Sequence, residues 1–273
     1  MRKKRYQTEL ASLVCAVVGV FLLVPSVAVA QSDGYRAPRT AEGTPDLNGI
    51  WQAINTAHWD IEPHGASQGT TRELGALNAM PGGLGVVEGD VIPYRPEALE
   101  QRNDNFANRV ARDPAIKCYL PGVPRATYMP HPFQIIQSTD HIMILHEFAG
   151  AVRTVYMQDH VPAPAPSWMG WSNGRWDGET LVIETEGFNG MTWFDRSGNF
   201  HSDGLRVVER ISVRSPETLN YDVTIEDPEI FTRAWTMHMP LYRRVEANAE
   251  LMEFRCVEFV EDLMYGHLRK QPD

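Results

Sequence analysis

Between Trp168 and Tyr242 one pattern repeats: short runs in which apolar and polar residues alternate, set apart by tight turn signals. Thr180-Leu-Val-Ile-Glu-Thr, Leu205-Arg-Val-Val-Glu-Arg-Ile-Ser-Val and Leu219-Asn-Tyr-Asp-Val-Thr-Ile-Glu each read as a half-buried strand, because successive side chains of an extended chain face opposite ways. Their links carry Asn173-Gly174, Asp177-Gly178 and a long loop, 187–204, ending in His201-Ser202-Asp203-Gly204. No helical period intervenes, which predicts an antiparallel sheet that closes or nearly closes. Upstream, Thr44-Pro-Asp-Leu-Asn-Gly-Ile-Trp51 enters a first strand, and 133–137, 142–148 and 152–157 form a meander. Further strands are expected near 168–172, 175–186, 205–214, 218–226, 231–243 and 249–259. Roughly ten strands suit an all-β, antiparallel, barrel-like curled sheet.

The first thirty residues read as a secretory signal rather than as part of the fold. Arg2-Lys3-Lys4-Arg5 is a basic start, Leu10 to Val24 an apolar run too short to span a bilayer, and Ala28-Val29-Ala30 a cleavage site before Gln31. A periplasmic or secreted protein follows as the expectation. Without residues 1–30 the chain carries 21 Lys and Arg against 34 Asp and Glu, a formal charge of −13. Such an acidic surface repels phosphate backbones, so nucleic acid is excluded as a partner, and no later segment is apolar enough to span a membrane. Two cysteines remain, Cys118 and Cys256. In an oxidising compartment they read as one disulfide, tying the start of the strand region to its last strand; two separate buried thiols are the alternative.

Residues 31–43 read as a flexible lead-in and 44–273 as one domain, with 52–132 as a helical and irregular insertion and connector. Pro96 to Asp113 is the clearest helix there, with Leu99, Phe106 and Val110 on one stripe. Five prolines between Pro114 and Pro132 stiffen the connector that follows. A short helix is expected over 258–270, with Leu263 and His267 on one side.

Gly170-Trp-Ser172-Asn-Gly174 matches the pattern of a nucleophile elbow, but an elbow needs a strand before it and a helix after it. Here Asn173-Gly174 is a hairpin signal and Arg175-Trp176 leads into another strand, so Ser172 reads as a turn residue. His201 and Asp203 close a loop carried by a rigid sheet, a common place for catalytic groups. His201 would exchange protons near neutrality with Asp203 orienting it, and Trp193, Phe194, Asp195 and Phe200 would form an amphipathic rim. The alternative is a plain turn with His201 solvated. Glu209 stands on the apolar face shared by Val207 and Ile211, where a carboxylate is either paired or pushed towards its neutral form. Arg233, in Phe231-x-Arg233-x-Trp235, has a similar place and could pair with Glu209. His146 alternates with Ile142 and Ile144 and so faces inward.

Leu47-Asn-Gly49-Ile-Trp51 resembles the Gly-x-Trp opening strand of lipocalin and avidin-type barrels. That resemblance implies a calycin-like barrel with Trp51 plugging one end under an Arg from a late strand. Thr44-Pro-Asp-Leu-x-Gly-Ile-Trp51, Pro121-Gly-Val-Pro-Arg125, Trp168-Met-Gly170, Arg175-Trp-x-Gly-x-Thr-Leu-Val182, His201-Ser-Asp203 and Val207-Val-Glu-Arg210 together resemble a group of uncharacterised secreted bacterial proteins. This second resemblance implies a single exported domain and no particular chemistry.

Two functions are expected from these residues. The first is an exported enzyme doing acid–base chemistry, as a lyase, isomerase, hydratase or hydrolase, on a small, partly apolar organic molecule. His201, Asp203 and Glu209 would be its catalytic groups, and Trp193, Phe200, Arg233, Tyr221 and His146 would bind substrate. The second is a periplasmic carrier in which the same groups only orient a ligand. No cofactor is expected; a divalent metal held by His131, His146, His201 and Asp203 is the alternative. His201 and Glu209 should open onto one cavity, with the loop folded back over the barrel mouth.

Overall fold

The computed structural model describes residues 35–69 and 71–268; the expected signal segment, 1–30, lies outside them. Nine strands form a closed barrel in chain order: β1 Gly49–Ala53, β2 Phe133–Gln137, β3 His141–His146, β4 Val152–Tyr156, β5 Trp171–Asp177, β6 Thr180–Glu186, β7 Arg206–Ser215, β8 Thr218–Glu226 and β9 Trp235–Arg243. β1 closes it by pairing with both β2 and β9. The period-two runs are the reason. Leu219, Tyr221, Val223 and Ile225 are all buried and their alternate neighbours are half-exposed, so β8 has one dry face. No helix among the described residues is long and apolar enough to cross a membrane.

Several expected elements differ. One pairing, β4 with β5, is parallel rather than antiparallel. The proline-rich segment 157–170 carries the chain the length of the barrel, and a long crossover of this kind is what parallel neighbours require. Asn173 and Gly174 lie inside β5, and the β5–β6 turn falls at Gly178 and Glu179, with Gly178 at φ +60°. Residues 249–259 form no strand. The disulfide between Cys118 and Cys256 is present, with Cα atoms 5.7 Å apart, and it ties a turn to the C-terminal tail rather than to a last strand.

The helix expected over 96–113 divides into α1 Pro96–Ala107 and α2 Arg109–Arg112. α1 buries Ala98 and Asn105, while Leu99 and Phe106 stay exposed. It docks through a polar face, because Asn105 Nδ2 donates to Gly198 O (3.2 Å) and Arg102 Nε to Asn199 Oδ1 (3.2 Å). A short α3, Arg125–Tyr128, precedes β2; α4, Val260–Tyr265, lies in the tail, where Leu263 faces solvent.

The register sorts the connections by length. Short turns at 138–140, 178–179 and 216–217 gather at one end of the barrel. Trp51 is buried, its Nε1 donating to Leu47 O (2.9 Å), with the Arg243 guanidinium 4.2 Å above its ring. The long connections 54–132, 147–151, 187–205 and 227–234 gather at the other end. There Phe194 stands edge-on to Trp235 at 5.7 Å, and Tyr128 Oη donates to Phe194 O (2.8 Å). The loop 187–205 therefore does fold back over the mouth, with Phe194 as its plug.

Candidate functional site

The barrel interior holds a polar belt with one residue from each of five successive strands: Arg153 of β4, Ser172 of β5, Thr185 of β6, Glu209 of β7 and Tyr221 of β8. All five are buried. Arg153 donates from Nε to Ser172 Oγ (2.8 Å), from Nη2 to Thr185 Oγ1 (2.7 Å), and from both terminal nitrogens to the Glu209 carboxylate (Nη1–Oε1 3.0 Å). Tyr221 Oη donates to Glu209 Oε1 (2.7 Å). Burial first, and the Glu209 charge second, hold the Tyr221 phenol well above its usual pKa. Glu209 thus faces inward as its position in β7 implies, but its partner is Arg153. Arg233 lies outside the strand, is exposed, and donates to the neighbouring Ala234 O. Glu209 and Arg233 therefore do not pair, and Ser172 is a buried strand residue rather than a turn residue.

His201 is buried beneath the loop it closes. Its Nε2 shares a 2.6 Å hydrogen bond with Thr192 Oγ1, its Nδ1 meets Ser202 O at 2.7 Å, and its ring packs against Phe188 and Phe194. Burial lowers its pKa from the usual imidazole value. Asp203 is exposed and contributes nothing to the hydrogen bonds of His201; Asp227 instead ties the loop, accepting from Ser202 N (2.7 Å) and Ser202 Oγ (3.0 Å). Trp193 is buried and bridges Phe200. His146 sits in the interior beside Phe133, its pKa pushed down to about 3 by burial and by Arg153. Among the described residues no three His, Cys, Asp or Glu side chains are placed to hold a metal.

A different group of residues meets at the same end of the barrel. A cleft of about 300 Å³ lies between the barrel mouth and the C-terminal tail. Its walls are mainly apolar, with Val110, Ile116, Met129, Phe148, Phe254 and Val260 among them. Two histidines enter it, His58 and His131. His131 Nδ1 lies 3.1 Å from Glu147 Oε1, and Glu147 Oε2 accepts from Met252 N of the tail (2.8 Å). Phe254 packs edge-on to the His131 ring at 5.0 Å. His58 is nine-tenths buried and its Nδ1 has no hydrogen-bond partner. Burial, then the charges of Arg125 and Arg196, hold this imidazole well below its usual pKa.

The arginines at the cleft are paired. Arg125 donates to both Asp113 oxygens (2.8 and 2.9 Å), and Arg196 Nη1 meets Glu261 Oε1 at 3.0 Å. The tail is held there by the Cys118–Cys256 bridge, by the Glu261 pair and by Phe259 N donating to Ile116 O (2.9 Å).

In the sequence, His131 stands out only as one ligand of the alternative metal site, and His58, Glu147 and Phe254 carry no functional signal. The His131–Glu147 contact had a signal: the β2–β3 register sets Phe133 opposite His146, which brings residue 132 beside 147. The contacts of His58 and Phe254 span too much of the chain to leave one. A scan of protein-family models finds no match to this chain, and neither does a search of curated proteins.

Proposed function

We propose that the protein binds a small, partly apolar organic molecule in the cleft beneath the C-terminal tail and carries out acid–base chemistry on it through His131. The observation that carries this reading is His131, paired with Glu147 behind it, lining an apolar cleft of ligand size. With Nδ1–H donated to Glu147, the basic nitrogen of His131 is Nε2, and the carboxylate stabilises the imidazolium that forms when Nε2 takes a proton. His58, held neutral, would supply a second polar contact. This moves the expected enzyme activity away from His201, Asp203 and Glu209, whose side chains are either committed to holding the fold or exposed. Export, expected from residues 1–30, agrees with the Cys118–Cys256 bridge, since such bridges persist in oxidising compartments.

The purified protein is to be incubated with a metabolite mixture and both bound and free fractions analysed by mass spectrometry. Chemical change of one compound by the protein, lost in His131→Ala with folding and retention of that compound intact, supports the enzyme. Retention of an unchanged compound supports a carrier that uses the same cleft. Neither change nor retention of any compound defeats the proposal.

A further inference from the structure

Resting on the cleft reading above, we infer that the ligand is an uncharged, ring-sized molecule carrying a hydroxyl or amide-like group that hydrogen-bonds His58, and not a carboxylate or a phosphate. The charges at the cleft carry this inference. Arg125 gives both terminal nitrogens to Asp113, both side chains being buried, and Arg196 is engaged by Glu261. Arg255, at the rim, is exposed and pairs with Glu253. The two arginines that line the cleft, and the one that holds its wall residue Asp113, therefore each already have a carboxylate, and His58 itself is uncharged.

An anionic ligand would lose its hydration without gaining a free cation, which is unfavourable in an apolar setting. A neutral polar group suits the site instead, because His58 lines the cleft as an uncharged imidazole and a hydrogen bond to it needs no countercharge. Neutral imidazole has one donor and one acceptor nitrogen, so a hydroxyl, which can do either, fits whichever tautomer is present. The apolar walls and the volume set the rest: about 300 Å³ is at the small end of ligand sites and suits one ring with a short substituent.

Three probes of nearly equal size separate the possibilities: 4-ethylphenol, 4-ethylbenzoate and ethylbenzene, titrated at pH 7.5 with the imidazole resonances of His58 and His131 followed by NMR. The phenol should bind about tenfold or more tightly than the benzoate. In His58→Leu the phenol should fall to the affinity of ethylbenzene, while ethylbenzene itself is unchanged. His58→Asn, which keeps a polar group, should retain part of the phenol preference and guards against misfolding of the leucine variant. Tighter binding of the benzoate, or a phenol preference that survives His58→Leu, overturns the inference while leaving a ligand site in place. If none of the three moves either resonance, the cleft reading itself falls.

Discussion

Removing Glu209 should destabilise the barrel severely, and the size of the loss follows from what it leaves behind. In Glu209→Ala the Arg153 guanidinium stays buried with only Ser172 Oγ and Thr185 Oγ1 as partners, and Tyr221 Oη loses its 2.7 Å acceptor. Breaking a buried ion pair from one side costs about 3–5 kcal/mol, chiefly because an uncompensated charge remains in the interior. For a domain of this size each kcal/mol lowers Tm by about 2–4 °C, so a fall of roughly 6–20 °C is expected. Urea unfolding followed by circular dichroism measures the loss as a shift in midpoint at unchanged m-value. The double variant Arg153→Met/Glu209→Leu should recover much of it, because no charge is then stranded. A loss below about 1 kcal/mol in Glu209→Ala would refute the reasoning. So would a double variant as unstable as the sum of the two single ones, since the residues would then not be coupled.

Reducing the disulfide, or replacing it with Cys118→Ala/Cys256→Ala, should cost roughly 4–5 kcal/mol on a chain-entropy view of its 138-residue separation, and hydrogen exchange should rise first in the tail. Asp195, fully buried and accepting from Ile61 N, Ser197 N and Asn199, has its pKa raised to about 7 by burial and by the Asp60 carboxylate, against partial relief from Arg125. Between its ordinary pKa near 4 and about 7 the folded state holds a proton that the unfolded chain lacks, so this group makes stability fall as pH rises through that window. Asp195→Asn should flatten the fall in urea midpoint between pH 5 and 8; an unchanged slope would count against it. Gly122→Ala should cost about 1–3 kcal/mol in thermal unfolding, because Gly122 sits at φ +74° and a Cβ there would stand 2.5 Å from Thr192 Oγ1.

The strands with one dry face could be read because that face writes a period of two into the sequence, as Leu219 to Ile225 shows. Where a residue type served packing instead, the same rules misled. Asn173-Gly174 looks like a hairpin, yet Gly174 is small because a Cβ would meet Met157 Sδ and Val155 Cγ1 at 2.6 Å. Arg233 looked inward because alternation was extended back to Phe231, but that residue belongs to a loop whose backbone bonds locally, Phe231 N to Asp227 O (2.8 Å). The apolar stripe of α1 misled because Leu99 and Phe106 face solvent, while the helix docks by Asn105 and Arg102, polar residues that such a stripe does not mark. Arg153 was missed although it shares parity with buried Val155, because exposed Val152 blurs the alternation in β4. The cleft residues come from six separate stretches of the chain, and only the His131–Glu147 part follows from local pairing.

The polar belt explains why so acidic a barrel closes in one register. Sliding β7 by one residue against its neighbours would turn Glu209 outward and carry Arg206, Arg210 and Arg214 into the interior. In the observed register Arg206 pairs on the outer surface with Glu184 (2.7 Å) and Glu226 (2.8 Å), and Arg210 with Asp177 (2.9 Å). Those exposed pairs add little stability each, but the slipped alternative would bury three guanidiniums against one inner arginine and no carboxylate from β7. A closed, fixed barrel of this kind leaves ligand chemistry to its long loops, and these emerge together at one end. That is where the tail, held by its disulfide, sets Phe254 against His131, so the end of the barrel, rather than its filled interior, is the place to look for function.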